Sequence, residues 1–210
     1  IGNEKPETFA LHDAQRVIAR EYGFPSWAKL KVHVETRARE DAKAQFHRAL
    51  EADDAAAVRR LLQRFPVPGA ALNPLISQAR SAAMLDALLD AGADIDAKSD
   101  WWAGGFGVLH QAAPEVARHA LARGAKVDLH AAARLGLFDR VRELIAADPS
   151  LVRARGGDGQ TALHFTATVE IADYLLAHGA DIDARDVDHE STPAQYMVRE
   201  RQDVARFLVQ

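Results

Sequence analysis

The sequence contains no cysteine, and this absence removes several classes of protein. Without cysteine among its 210 residues, the chain forms no disulfide bond and no thiolate zinc site. A reducing compartment fits this composition. Residues 1–6 also lack the basic and apolar regions of a signal peptide. We therefore predict a cytoplasmic location.

Long apolar runs and an excess of positive charge are missing as well. No run approaches the roughly 18 apolar residues that a membrane span needs. The formal net charge is −4, so the chain has no basic field that would attract phosphate groups. We expect neither a membrane nor a nucleic acid as partner. Because 48% of the residues are hydrophobic and 27% are charged, a folded, soluble protein with a sizeable core is expected.

The sequence repeats itself. Residues 88–97 (LLDAGADIDA) return as residues 175–184 (LLAHGADIDA), and residues 120–128 (ALARGAKVD) are a degenerate copy. Units of this size cannot bury an apolar face alone, and they gain a continuous core by stacking on their neighbours. A glycine follows the second helix of several units, where a left-handed residue is favoured. This pattern predicts a stack of short helix pairs.

Apolar spacing from Lys43 onward predicts about six such pairs, the last of them cut short at Gln210. Before them, residues 9–36 have the pattern of a helical hairpin with Trp27 as its apolar anchor, and the charged stretch 36–41 follows. We therefore predict two domains, an N-terminal helical cap over residues 1–41 and a repeat domain over residues 42–210.

These motifs resemble the ankyrin repeat, which reads roughly T-P-L-H-x-A-A, a loop, and a second helix that ends in L-L-x-x-G-A-D-x-x-A. The match is strong for Thr161–His164 with Leu175–Ala184, and good at Leu109–Ala113 and Leu129–Ala133. The resemblance covers roughly residues 43–210. It implies an all-α ankyrin-repeat solenoid of paired antiparallel helices joined by short hairpin loops, here called fingers.

The stretch Ile18–Trp27 is similar to the helical lead-in of some bacterial ankyrin-repeat proteins, which implies a capping role. Other positions depart from the family. Units two, three and five lack the loop between their helices, which predicts shorter helices. Asp128 runs directly into Leu129, so the third and fourth units are joined almost without a finger, whereas Ser99–Gly107 is longer than a standard finger.

Two groups of polar residues could suggest chemistry. His110, His130 and His164 share one position in successive units, and units about 10 Å apart would hold them too far from one another to share a metal ion. Buried imidazoles that bond the backbone are expected instead. Asp188, His189 and Glu190, with Asp186 nearby, are expected at a polar finger tip rather than in acid–base or metal chemistry. We predict no catalytic residue, no bound metal and no cofactor.

Trp101 and Trp102 are the unusual feature of the long finger. Backbone alternation would turn at least one ring outward as a binding anchor, or the loop could fold back and bury both. Both alternatives stay open at this point. The predicted partner-binding residues lie in the fingers or beside them: Trp101, Trp102, Phe106, Asp158, Gln160, Asp188, His189 and Glu190.

The resemblance implies a protein–protein interaction scaffold that binds another protein on its concave face of fingers and inner helices. The alternative is an enzyme, hydrolase-like or metal-assisted, or a small-ligand protein with a pocket under the Trp101–Trp102 loop and polar groups from His189, Glu190 or Asp158. A third alternative is a regulatory part of a larger protein. The scaffold predicts an open face without strongly perturbed titratable groups, and the enzyme predicts an enclosed pocket that holds them.

Overall fold

The computed structural model describes residues 10–209 and divides into two compact units, one up to Ala52 and one from Asp53 onward. The predicted helices of the N-terminal hairpin are present, as α1 (Leu11–Glu21) and α2 (Trp27–Glu51). The charged stretch 36–41 continues α2 instead of ending it, since nothing in it breaks a helix. The predicted division into domains 1–41 and 42–210 therefore cuts α2, and it stays a prediction. Residues 1–9 and Gln210, which the predicted domains include, lie outside the described part of the chain.

The N-terminal unit is held by contact between α1 and α2. Gly23 takes the left-handed conformation (φ 77°) in the connecting turn, and Ser26 caps α2 by accepting a bond from the Lys29 N–H at 3.4 Å. Ala19, Leu30, Ala42 and Ala49 are buried apolar residues of this unit. Trp27 is 37% exposed, so it is a weaker anchor than its position suggested.

The second compact unit, from Asp53 onward, consists of short helices connected by irregular loops. Its α-helices are α3 (Ala55–Arg64), α4 (Ala82–Asp90), α5 (Val108–Gln111), α6 (Pro114–Ala122), α7 (Leu129–Leu135), α8 (Phe138–Ala147), α9 (Val169–Ala177), α10 (Pro193–Glu200) and α11 (Gln202–Leu208). In two of the repeat units, the second and the fifth, a 3₁₀ segment replaces the predicted first helix. These segments are Gly69–Gln78 and Ala162–Phe165. Within residues 10–209 no β-strand forms, so the fold is all-α, as predicted.

These helices pack in two layers. The first elements of successive units contact one another in the order Gly69–Gln78, α5, α7, Ala162–Phe165 and α10. The second elements contact one another as α3, α4 and α6, and again as α8, α9 and α11. An all-α repeat solenoid is thereby formed, with the apolar faces of the units turned toward each other.

Local sequence explains where the helices start and stop. Gly92, Gly124 and Gly179 follow α4, α6 and α9, and all three have φ between 90° and 93°, a conformation that glycine adopts without strain. Ser81 and Thr168 cap α4 and α9 with their hydroxyl oxygens. The predicted shortening is confirmed for the third and fifth repeat units, whose first elements are only four residues long. It is wrong for the first element of the second repeat unit, since Gly69–Gln78 spans ten residues.

One continuous core lies in the last three repeat units. Leu163, Ile171, Leu175 and Val204 are fully buried in it, and they come from the 3₁₀ segment Ala162–Phe165, α9 and α11. No helix of the described region has the length and hydropathy needed to cross a bilayer.

Candidate functional site

Three fingers lie side by side and are linked through the backbone of Asp158. The Asp158 N–H donates to the Gly104 carbonyl at 3.2 Å, and the Val187 N–H donates to the Asp158 carbonyl at 2.7 Å. These two bonds join the long finger, residues 93–107, to the fingers 154–160 and 179–191. Sequence positions that are far apart thus form one surface.

Asp158 lies at the centre of this surface, and both its backbone conformation and its side-chain bonding are unusual. Its backbone is left-handed (φ 54°), a conformation that aspartate tolerates better than most residues. Of the buried side-chain oxygens in the described residues, its Oδ1 is the one without a hydrogen-bond partner. Burial raises the pKa of Asp158, the charges of Asp188 and Asp186 raise it further, and the Trp101 indole against the carboxylate partly offsets this rise.

The base of the long finger is fixed by Phe106. Its ring is only 8% exposed and packs against Phe165, with ring centroids 6.4 Å apart. A Cβ on Gly157 would lie 2.5 Å from the same ring, so only glycine allows the fingers to approach this closely. The Phe106 N–H and carbonyl also bond Ser99, both at 2.9 Å. Phe106 was predicted as a contact residue, and its burial gives it a positioning role.

Trp101 and Trp102 project from this fixed loop. Their exposed fractions are 48% and 70%, and their ring centroids are 6.5 Å apart. Of the two alternatives left open by the sequence, the structure has the exposed one. The two rings form an apolar patch beside the Asp158 carboxylate.

The finger tip around Asp188, His189 and Glu190 is organised by Asp186. The Asp186 side chain is fully buried and accepts bonds from the Tyr196 hydroxyl at 2.6 Å and the backbone N–H groups of Ser191 and His189 at 2.7 and 3.3 Å. Burial alone would raise the pKa of Asp186, but these bonds outweigh it and lower the pKa. Burial and the bond to Asp186 raise the pKa of Tyr196.

At the tip itself the side chains are more open. His189 is 64% exposed, and its Nδ1 lies 3.6 Å from carboxylate oxygens of both Asp186 and Asp188. Glu190 is exposed and has a left-handed backbone (φ 53°). Gln160 differs from its predicted role, because it is only 5% exposed and its side chain faces Tyr196. It supports the tip from beneath.

The three repeat histidines are buried and bond the backbone, which confirms the expectation. His164 Nδ1 accepts from the Thr161 N–H at 3.1 Å and its Nε2 donates to the Ser191 carbonyl at 3.2 Å. His130 Nε2 lies 3.2 Å from the carbonyls of Ala154 and Gln160. Burial lowers the pKa of both rings.

The expected spacing of the histidines was wrong in one case. The rings of His110 and His130 are 5.9 Å apart, much closer than one unit width, because both pack on the ring of Phe165. His110 also bonds both carboxylate oxygens of Asp128 at 2.9 Å. In the part of the chain that the structure describes, no three metal-ligating side chains come together.

Two surface depressions lie away from the tryptophans. One of about 110 Å³ is lined by residues from Ile95 to Asp128, including His110. The other, of about 290 Å³, is lined by Arg59, Asp90 and their neighbours. Neither includes Trp101, Trp102, His189 or Glu190, so neither is the enclosed pocket that the enzyme alternative requires.

The comparison with protein families decides the nature of the repeats. The model for ankyrin repeats matches residues 129–210 with three copies. These are the fourth, fifth and sixth repeat units, which share one hydrophobic core. Residues 129–210 are ankyrin repeats.

Comparison with individual proteins adds little to this. A search of curated proteins finds no significant match. Among solved structures, this chain is similar to a structure of a predatory endopeptidase from Bdellovibrio bacteriovorus in complex with an immunity protein. The identity is 22%, with 79% of this chain and 96% of that chain covered and a TM-score of 0.42. A superposition of this quality assigns neither a partner nor a binding face.

The predicted site residues therefore separate into two groups. Phe106 and Gln160 are buried supports. The other six lie on the three linked fingers, and we call them the finger surface: Trp101, Trp102, Asp158, Asp188, His189 and Glu190. Tyr196 was missed by sequence reasoning, because its ten-residue separation from Asp186 gives no local signal.

Proposed function

We propose that this protein binds another protein and that the finger surface makes the contact. One observation carries the proposal: two adjacent tryptophans are 48% and 70% exposed on a loop whose base is fixed by packing. Large aromatic side chains contribute much of the binding energy of protein interfaces when a partner buries them. An ordinary surface loop gains nothing from exposing two of them.

The rigidity of the fingers supports this role. Phe106 holds the long finger from inside, and the backbone bonds of Asp158 join it to its neighbours. A surface that is already ordered loses less conformational entropy on binding. The adjoining first helices would complete a concave face, as in the predicted scaffold.

The titratable groups of the site match the scaffold expectation only in part. The shifted carboxyl groups, Asp158 and Asp186, differ from the scaffold expectation of unperturbed groups. Asp186 is occupied by three bonds that shape the finger tip. Neither surface depression described above includes Asp158 or Asp186, which supports binding over the enzyme alternative. The cytoplasmic location, the bacterial source and the exclusion of nucleic acid and membrane partners remain predictions from the sequence.

Site-specific crosslinking tests the proposal. A photoreactive benzoylphenylalanine replaces Trp102 in one variant and Val198, which is 61% exposed on α10, in a control variant. Illumination in cell extract is expected to give one protein adduct from position 102 and none from position 198. Equal adducts from both positions, or none from position 102, would contradict the proposal.

The double variant Trp101→Ala/Trp102→Ala provides the second test. We expect it to lose the adduct partner in pull-down experiments while its melting temperature stays unchanged. If instead the partner is retained and the melting temperature drops, the tryptophans belong to the core and the contact lies elsewhere.

A further inference from the structure

The charge of the chain is unevenly distributed, and the fingers hold the negative part. Residues 93–107, 124–128, 154–160 and 179–191 contain ten Asp and Glu residues and four Lys and Arg residues. Their formal charge of −6 exceeds the −4 of the whole chain, so the remainder is slightly positive. The exposed tryptophans thus lie within the most acidic part of the protein.

Internal contacts neutralise little of this charge. Two of the four basic finger residues are already engaged: Arg155 donates to the carbonyls of Gly159 and Arg185 at 2.7 Å, and Lys126 pairs with Asp96 at 3.3 Å. In contrast, neither Asp100 nor Glu190 forms an ion pair within residues 10–209. Their charges are available to a partner.

The tryptophans add a preference for one kind of cation. An indole face attracts a cation positioned over it, and the planar guanidinium of arginine both stacks on the ring and bonds a carboxylate with two parallel N–H groups. The Trp101 indole lies against Asp158, and Trp102 is the more exposed ring. Aromatic faces and free carboxylates therefore lie on the same surface.

We propose that the finger surface recognises an arginine-bearing basic segment of its partner protein, with the guanidinium groups stacked on Trp101 and Trp102 and paired with Asp188 and Glu190. This rests on the proposed function and deepens it. An acidic segment would be repelled by the fingers, and a purely apolar one would leave their carboxylates facing it without a counter-charge.

Labelled synthetic peptides test the specificity without knowledge of the partner. Four peptides share one Gly-Ser framework and carry four Arg, four Lys, four Glu or four Gln residues. Fluorescence anisotropy with the full chain is expected to rank Arg above Lys, with Glu and Gln showing no binding. The affinity for the Arg peptide should fall as NaCl increases, because exposed charges are screened within about 10 Å at 0.1 M salt. Equal binding of the Arg and Gln peptides would overturn the proposal.

Matched variants separate the finger surface from net charge. Asp188→Asn/Glu190→Gln removes two charges from the fingers, and Glu115→Gln/Glu170→Gln removes two exposed charges from α6 and α9. We expect the first pair, and separately Trp102→Ala, to weaken the Arg peptide about tenfold, the size of one charge-paired or cation–π contact. The second pair should retain the affinity of the unmodified chain. Equal losses in the two pairs would mean attraction by net charge alone and would overturn the proposal.

The crosslinked partner distinguishes this inference from the proposed function. An adduct at position 102 whose crosslinked segment contains arginine supports both. An adduct whose segment lacks basic residues supports partner binding and overturns the arginine preference. Absence of an adduct at position 102 overturns the proposed function itself.

Discussion

At the repeat junctions, the histidines His110, His130 and His164 are at most 6% exposed, and each is bonded to backbone or to a carboxylate. On the finger surface a few residues away, Trp102 is 70% exposed, and Glu190 has no ion pair in the described region. Junction and surface are built from the same loops. The difference teaches that a finger has two sides: the inner side joins neighbouring units and determines stability, while the outer side is available for a partner.

The largest loss of stability is expected inside the core that the junctions cover. Leu163 is fully buried, so Leu163→Ala leaves a cavity and should lower the free energy of unfolding by about 3 kcal/mol. Urea denaturation measures it. Val198→Ala, at a residue 61% exposed, is the control and should change little. A loss below about 1 kcal/mol at Leu163 would contradict the packing described here.

A single methyl group should break the base of the long finger. The Cβ of Gly105→Ala would lie 2.1 Å from the Ser99 carbonyl oxygen, so the backbone must move. We expect a loss of about 2 kcal/mol and a changed tryptophan fluorescence spectrum, although no aromatic ring is removed. An unchanged spectrum together with unchanged partner binding would show that the loop geometry does not control the finger surface.

The junction between the third and fourth units depends on the charge of Asp128. Burial alone would raise its pKa, but the hydrogen bond and charge of His110 and the Ala131 N–H outweigh burial and lower the pKa to about 2. The stabilisation is therefore fully present above about pH 4 and is lost as the pH falls toward 2. Asp128→Asn keeps the helix cap and removes the charge. Because this side chain is 43% exposed, we expect a loss of only about 1 kcal/mol at pH 7.

The pH dependence of the same variant provides a control. The stabilities of Asp128→Asn and the unmodified chain, measured by denaturation from pH 7 downward, should converge below pH 4. A difference that stays constant with pH would mean that the carboxylate charge is not what stabilises this junction.

A smaller effect should come from protonation of the buried histidines. Burial lowers the pKa of His130 and His164, so the unfolded chain binds protons first as the pH falls below about 6.5. The melting temperature should therefore decrease from pH 7 to pH 5. In His164→Gln, which keeps a polar side chain but no titratable group, this decrease should be less steep. An identical slope would assign the pH dependence to other groups.

The smallest effect on stability is expected on the finger surface. Trp101→Ala/Trp102→Ala removes two exposed rings and should change the free energy of unfolding by less than about 0.5 kcal/mol, as measured by urea denaturation. The same variant should show the largest loss of partner binding. Instability of this variant with normal binding would abolish the division between inner and outer side.

The repeat architecture could be predicted from the sequence because its determinants are local. Gly92, Gly124 and Gly179 follow helices in recognisable ten-residue motifs, and the missing inter-helix loops predicted the short first elements of the third and fifth repeat units correctly. The burial of the repeat histidines could be predicted as well, since His130 and His164 bond backbone carbonyls of the following segment and His110 bonds the Asp128 carboxylate.

The arrangement of the site could not be predicted in the same way. The contact of Asp158 with Gly104 and Val187 joins three separate fingers, and it depends on how adjacent units are stacked. The burial of Phe106 and Gln160 has the same origin, because a finger residue can point to either side of its loop. For Trp101 and Trp102 the sequence allowed both orientations, and only the packed base of the loop decides between them.

Asp128 has a consequence for how the protein unfolds. Its carboxylate caps α7 through the Ala131 N–H at 2.9 Å and also holds His110 of the preceding unit. One side chain is thus shared by two units, with almost no loop between them. In a linear array each unit is stabilised by its neighbours, and melting of the third unit removes a stabilising contact from the fourth. These two units should therefore open together, as a single cooperative block that protects its amides from hydrogen exchange to the same extent.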